Sequence, residues 1–438
     1  MIGLVVNPVA GVGGPAGLAG SDGAEVQRLA VSRGAHSRAQ ARATVALRVL
    51  AARHPALVIA TAAGAMGADA VRAAGLEAWV VYDPASSSES RSTGESASTG
   101  GSAADRPVLA SSPVLVRSAT SASDTSAAVA ALGAAGATLI LVAGGDGTLR
   151  DAAAGLSSPH DASAGEHASA GESPADSPAP ASSPVSGGAD AGRPAVLGIP
   201  SGVKMYSPVF AVSPRAAGSL AADWVDGLLP TAEREVLDVD EAAMRRARVE
   251  PQLFGMLRVP FRVGRTQARK AATPASEADA VAAAARGAVV RMRPGVRYLL
   301  GPGSTTAEIA RQLGIEKSPL GVDVILDGRP LLSAASEGQL LDEIAQGPAQ
   351  AVVTVIGGQG FLLGRGNQQL SAAVISALGD APLMVVAPEQ KLIDLRGRAL
   401  IVETGDPAVD ERLSGHIRII TGATTTSLYA VAAPDLVP

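Results

Sequence analysis

An aspartate set among glycines is the first feature in this chain that carries chemistry. Gly144-Gly145-Asp146-Gly147-Thr148 follows at once on the apolar run Thr138-Leu-Ile-Leu-Val-Ala143, and residues 149–154 can open a helix. A strand, a glycine turn and a helix start form an anion site: glycine lets the backbone bend and a phosphate approach, and the free amides and dipole of the helix start favour negative charge. A carboxylate among phosphate-binding amides has a use if it accepts a proton from an attacking hydroxyl or holds Mg2+. It also has a plain structural use, since Asp caps many helices. The local pattern leaves both readings open.

Two further loops share this grammar. Gly301-Pro-Gly303-Ser304-Thr305-Thr306 follows one strand-like run and Gly357-Gly358-Gln359-Gly360 follows another. Three such loops point to a phosphorylated ligand. With 50 glycines in the chain each loop alone is weak, and Gly301 to Thr306 also reads as an ordinary turn with a Ser or Thr cap. Gly364-Arg365-Gly-Asn367-Gln-Gln369 offers a guanidinium and three carboxamides, suited to phosphate and to polar ring edges, or to a solvated loop. The five histidines show no metal-ligand spacing, and no metal-binding residues are assigned. Neither a Gly-x-x-x-x-Gly-Lys-Ser/Thr loop nor a Gly-x-Ser-x-Gly elbow occurs.

The elements that must hold these loops are predominantly α/β. Short Val/Ile/Leu runs alternate with Ala-rich stretches, the pattern of a parallel sheet covered by helices. Strands are expected over 2–7, 56–60, 78–82, 114–117, 138–143 and 195–199, with helices over 24–34, 39–53, 65–74 and 124–135. Beyond residue 226, strand-like runs over 233–238, 253–259 and 288–292 lack clear helices between them and suggest a β-rich second domain. Set into it, residues 296–356 read as a βαβαβ unit: strands 297–300, 322–326 and 351–356, helices 305–313 and 336–344. Runs at 383–387, 399–403, 417–421 and 428–432 complete that sheet or cross back to the first domain. The division expected is 1–230, with Ser/Ala/Pro-rich insertions at 86–112 and 157–193, and 231–438.

Composition excludes several classes. The 438 residues suit two domains, and a net charge of -5 without a block of like charge argues against nucleic acid. Aromatic content of 2% leaves few rings for stacking on bases, while 47% hydrophobic residues suffice for a core. Without cysteine there is no disulfide framework, thiolate metal site or cysteine nucleophile. No basic leader precedes the first strand-like run, and no apolar run approaches about 18 uncharged residues. A cytoplasmic protein with small-molecule partners and no membrane contact is expected.

Gly144 to Thr148 resembles the GGDGT signature of the superfamily that holds NAD kinases, diacylglycerol kinases and sphingosine kinases, and Asn7-Pro8-Val9-Ala10-Gly11 resembles the Asn-Pro-x-x-Gly turn that precedes it there. The strings Gly198 to Met205, Gly301 to Thr306, Leu320-Gly-Val-Asp323, Ile356 to Phe361, Gly364 to Gln369 and Thr404-Gly-Asp406 are similar to the prokaryotic ATP-NAD kinase-like family, some members of which are associated with acetoin catabolism. The resemblance implies a nucleotide-fold first domain, a β-rich second domain and a site between them. There Asp146 activates the ribose 2'-hydroxyl of NAD, and ATP or inorganic polyphosphate is the donor, its phosphates bridged by Mg2+. Gly144, Gly145, Gly147 and Thr148 then line the donor phosphates with Asn7 nearby, and Gly301, Gly303, Ser304, Thr305, Gly357, Gly358, Gln359, Gly360, Arg365 and Asn367 join the nucleotide site. Family analogy also suggests a homo-oligomer.

The chain departs from the pattern in two places. The Asn-Glu or Asn-Asp pair of familiar NAD kinases has no clear copy, and Gly202-Val-Lys204 stands in its place; Lys204 then contacts a phosphate or remains a surface lysine. The loop Gly17-Leu-Ala-Gly-Ser-Asp-Gly23 has Ala19 where the close family has lysine. The open alternatives are a kinase of another nucleotide, sugar, polyol or lipid head group, and a nucleotide-binding regulator without turnover.

Overall fold

The computed structural model describes residues 1–18, 24–85, 120–157, 193–227, 229–238, 252–262, 265–267 and 278–434. The expected strand 114–117 and nearly all of both Ser/Ala/Pro-rich insertions lie outside these.

The first part of the chain runs β1 (Ile2–Val6), α1 (Ala24–Ser32), α2 (Ala39–Arg53), β2 (Val58–Ala62), α3 (Ala68–Ala73), β3 (Glu77–Tyr82), α4 (Ala122–Ala134), β4 (Leu139–Gly144), α5 (Asp146–Leu156), β5 (Ala195–Pro200) and α6 (Pro214–Val225). Its five strands form a parallel sheet in the order β3-β2-β1-β4-β5. β1, β4 and β5 are buried along their whole length, which is why they read as continuous apolar runs rather than alternating ones. Helix α2 covers one face with Ala43, Ala46, Leu47 and Leu50, a stripe at helical spacing. Its neighbour α6 starts at Ser213, whose hydroxyl accepts from Ala216 N, with Pro214 in the first turn.

β6 (Thr231–Asp238) and β7 (Gln252–Pro260) pair with each other as an antiparallel ribbon. Although they follow residue 230, Val236, Leu257 and Val259 belong to the core of the first sheet.

The remainder is α7 (Ala278–Arg291), β8 (Arg297–Leu300), α8 (Ser304–Gln312), β9 (Asp323–Leu326), β10 (Arg329–Leu332), α9 (Glu337–Ile344), β11 (Ala349–Val353), β12 (Phe361–Leu363), α10 (Ala372–Ala377), β13 (Leu383–Val386), α11 (Glu389–Ile393), β14 (Leu400–Val402), α12 (Pro407–Leu413), β15 (Gly415–Ile420) and β16 (Thr426–Ala432). Nine strands form one mixed sheet, β10-β9-β8-β11-β13-β15-β16-β14-β12, so the tail completes the second sheet. The far edge of this sheet meets the first: Phe361 on β12 and Ile401 on β14 are part of the first core.

Two expectations are corrected. Residues 288–292 are not a strand; 288–291 close the helix α7, where Val281, Ala284, Ala285 and Ala288 face inward at helical spacing. The unit over 296–356 holds an extra strand, β10, and β9 runs antiparallel to both β8 and β10. The turn Asp327-Gly328, with φ of 49° and 71°, is the left-handed pair that closes a two-residue hairpin.

Candidate functional site

In the first sheet, β1 leads away to β2 and β3 on one side, while β4 and β5 lie on the other. The crevice beyond the carboxyl ends of β1 and β4 is therefore the switch point where open α/β sheets take their ligands. Asn7 leaves β1 there, Gly144 to Thr148 leave β4, and Ser201 to Lys204 leave β5. Asn7 Nδ2 donates to Thr148 Oγ1 at 3.1 Å, and Asn7 Oδ1 accepts from Val9 N at 3.1 Å, so one side chain fixes both loops. Gly144 O accepts from Ser201 N and Gly202 N, both at 2.9 Å. The backbones meet so closely that a Cβ on Gly202 would stand 2.3 Å from Gly145 Cα.

Asp146 opens α5 and is 1% exposed. Its Oδ2 accepts from Tyr206 N at 2.5 Å, and its Oδ1 from Ser207 N at 3.0 Å and Ser207 Oγ at 2.6 Å. Its own amide donates to Lys204 O at 3.2 Å. Burial raises the carboxyl to about 6 and the charge of Asp238 adds to the rise, against the lowering effect of the Ser207 and Tyr206 donors. A carboxyl at this value is a usable proton acceptor near neutral pH.

The segment 204–207 that grips Asp146 is itself braced. Met205 O accepts from Gln267 Nε2 at 2.9 Å and Gln359 Nε2 at 3.1 Å. Gln267 Oε1 in turn accepts from Arg365 Nε at 3.1 Å. The structure thus brings Asn7, Gly144, Gly145, Asp146, Gly147, Thr148, Lys204 and the loop Gly357 to Gly360 to one region.

Arg365 and Asn367 do a different job from the one the sequence suggested. Arg365 is 3% exposed and its donors go to Gln267, Gly364 O, Val212 O and Glu403, with its guanidinium 4.3 Å from the Phe361 ring centre. Burial lowers its pKa to about 10. Asn367 closes its own loop by donating to Leu362 O and accepting from Gly364 N. Gly301, Gly303, Ser304 and Thr305 sit on the second sheet at the start of α8, where Gly301 N donates to Val352 O at 2.9 Å.

Sequence reasoning missed Ser207, Gln267, Arg42 and Glu403. Arg42 Nη2 lies 2.8 Å from both Glu403 oxygens, Arg42 Nε donates to Pro200 O, and Arg365 Nη1 takes the same Glu403 at 3.0 Å. This charge cluster floors a cleft between the strand ends of the two sheets, lined also by Arg38, Gly202, Gln368 and Thr404. No local signal marks these residues, because their partners lie far along the chain.

The structure thus places a glycine loop with a buried carboxylate at the switch point of a parallel sheet. Residues 293–431, which span the nine-stranded sheet from before β8 into β16, match the family model of the ATP-NAD kinase C-terminal domain, and this match supports a kinase-type phosphotransferase of the NAD kinase kind. No curated protein and no solved structure matches the chain. No helix among the described residues is long and apolar enough to cross a membrane.

Proposed function

We propose that the chain transfers the terminal phosphoryl group of ATP or of inorganic polyphosphate to the 2'-hydroxyl of NAD, with Asp146 as the general base. The observation that carries this reading is Asp146 itself, held at the first turn of α5 beside three glycines with its carboxyl raised to about 6. Its Oδ1 takes two donors and its Oδ2 one, which leaves an acceptor position on Oδ2 for the substrate hydroxyl. The 2'-hydroxyl proton passes to Oδ2 as the 2'-oxygen bonds to the terminal phosphorus. The bond from that phosphorus to the bridging oxygen breaks, and ADP or a shortened polyphosphate leaves with the electron pair. Gly144, Gly145, Gly147 and Thr148 line the donor phosphates, and Lys204 O fixes the backbone of the base.

The described residues hold no group of three acidic or histidine side chains placed to bind a metal ion, and they fit Mg2+ as an ion carried on the donor phosphates, with Asp238 a further carboxylate whose charge reaches Asp146. Bound there, Mg2+ supplies charge neutralisation on the phosphate oxygens.

The sealing of Asp146, 1% exposed, favours one second reading: a nucleotide-binding regulator without turnover. A donor-by-acceptor assay with ATP or polyphosphate, NAD or NADH, with and without Mg2+, separates the two. NADP formed by the wild type with Mg2+ and lost in Asp146→Asn supports the kinase. Nucleotide binding with no product from any donor establishes the regulator, and full activity of folded Asp146→Asn removes the base.

A further inference from the structure

Resting on the reading that the acceptor reaches Asp146 through the cleft between the two sheets, we infer that residues 12–18 and α1 form a lid over that cleft, hinged at Gly11 and Gly34. The lid lifts from the second sheet to admit the acceptor, and the arrangement described is the closed one.

The space in the cleft requires such a movement. Its inner part, beside Gly202 and Met205, holds about 40 Å3, whereas sites for small molecules and cofactors run to about 300–1,000 Å3. An outer part of about 400 Å3 adjoins it and shares Arg38, Ser371 and Thr404 with it. Gly11 and Pro15 line the inner part, and Arg38, paired with Glu337, stands where the two meet.

The lid is weakly held. Val12, Ala16, Leu18, Ala30 and Ala35 make a small apolar cluster of their own, apart from the cores of both sheets. Along α1, Ala30 is the one buried side chain among those described. Across the cleft, Glu337 N donates to Pro15 O at 2.9 Å. Gly17 lies so near the second sheet that a Cβ on it would stand 2.3 Å from Ala334 O. Arg38 reaches Glu337 at 3.5 Å, with its side chain 48% exposed, and water screens that pair. A segment that buries so little apolar surface opens at a free energy well below that of global unfolding.

Its ends suit pivots. Gly11 has φ of 75° and is pinned, since a Cβ there would stand 2.1 Å from Ser201 O, while Gly34 has φ of 77° with open space around it. Behind Gly11, Asn7 is bonded to Thr148 of the glycine loop, so the fixed end of the lid stands on the site itself. At the far edge of the second sheet Phe361 and Ile401 are built into the first core, so the two sheets stay joined there and the cleft widens on the lid side.

The chain has no cysteine, and a Cβ on Gly14 would stand 3.2 Å from Gln368 Cβ, a small relaxation away from the separation of about 3.5–4.5 Å in a disulfide. The test is Gly14→Cys with Gln368→Cys in the full chain, its crosslink confirmed by mass. The oxidised and reduced forms are compared by equilibrium binding of NAD without a phosphoryl donor, and by hydrogen exchange alongside the wild type. The inference expects oxidation to weaken NAD binding at least about tenfold and a thiol reductant to restore it. In the wild type the Glu337 amide should exchange at least about tenfold faster than the amides of β1 and β4, and the crosslink should slow it. Equal NAD binding by the two forms, or a wild-type Glu337 amide as protected as those of β1 and β4, overturns the lid. The exchange measurement decides even where the crosslink does not form or NAD does not bind. Redox-dependent binding without transfer to any acceptor sinks the kinase and keeps the lid, whereas transfer by the crosslinked protein at the rate of the reduced one does the reverse.

Discussion

Ser207 Oγ stands 2.6 Å from Asp146 Oδ1 and 3.0 Å from both the amide nitrogen and the carbonyl oxygen of Leu237 on β6. A hydroxyl has one proton and two acceptor positions. With Asp146 ionised, Ser207 donates to it and accepts from Leu237 N. Once Asp146 has taken a proton on Oδ2, Ser207 still donates to Oδ1, now the carbonyl oxygen of the acid, and still accepts from Leu237 N. The same side chain thus serves both states of the base.

Ser207→Ala removes one of the donors that favour the ionised carboxylate and leaves the Leu237 amide buried without its acceptor. The variant should lose about 1–3 kcal/mol of stability, and the acidic limb of its pH–rate profile should move to higher pH. Denaturant unfolding and a kcat/KM profile check the two effects separately; an unmoved limb would remove Ser207 from the setting of the base.

The raised carboxyls also give stability a pH dependence. Asp146 goes from 3.8 to about 6 on burial, and Asp410 does the same. A carboxyl whose folded pKa lies above its unfolded value takes up a proton on folding between those two values. Stability therefore falls as pH rises from about 4 to about 6, and the penalty is fully present above that window. Asp146→Asn should flatten the curve, losing about 2 kcal/mol less than the wild type between pH 4.5 and 7. Urea unfolding at the two pH values measures the difference, and parallel curves would contradict the raised value. Activity runs the opposite way, because the base must be ionised: kcat/KM should decline as pH drops through about 6.

Gly147 separates fold from ligand. A Cβ there would meet nothing nearer than Arg150 Nη2 and Asp238 Oδ2, both at 3.8 Å, whereas on Gly202 it would press on backbone at 2.3 Å. Gly147→Ala should keep the wild-type melting temperature within a degree or two, as harmless substitutions do, yet lose donor binding if a phosphate comes to rest against that residue. Gly202→Ala should lose stability as well as activity. A fully active Gly147→Ala would place the donor phosphates elsewhere.

How much of this could be read from the chain depended on whether a feature was local. The run before Gly144 announced a buried strand, and Asp146 stood out because a carboxylate among glycines calls for an explanation. Its partners did not stand out: Tyr206 and Ser207 arrive from beyond β5, and Leu237, which holds Ser207, from the ribbon, brought together only by chain crossings. Helix α7 was misread at its end because Val289 and Val290 look strand-like next to a run of alanines with little contrast between faces. The hairpin at Asp327-Gly328 went unread, although Asp-Gly between apolar runs is a turn signal. Arg365 misled for a physical reason: a guanidinium reads as a phosphate ligand until a buried Glu403 is found beside it.

That Glu403 gives the last expectation. It is 5% exposed and takes Arg42 from α2 and Arg365 from the loop after β12, so it joins the first sheet's helix layer to the second sheet. Removing one member of a buried ion pair costs more than never having had the pair, because the remaining charge stays out of water. Glu403→Ala strands Arg365, which is 3% exposed, and should lose about 3–5 kcal/mol. Replacing the buried pair together, as Glu403→Leu with Arg365→Met, should recover part of that loss, since both buried charges go, less what Gln267, Gly364 O and Val212 O lose with the guanidinium and Arg42 loses with the carboxylate. Denaturant unfolding of the single and double variants reads the coupling. If the double variant is as unstable as the sum of its parts, the cluster acts through its separate bonds to Gln267 and Val212. If it recovers, the charge pairing itself was the issue, and Arg42 is left free to turn wholly to the cleft.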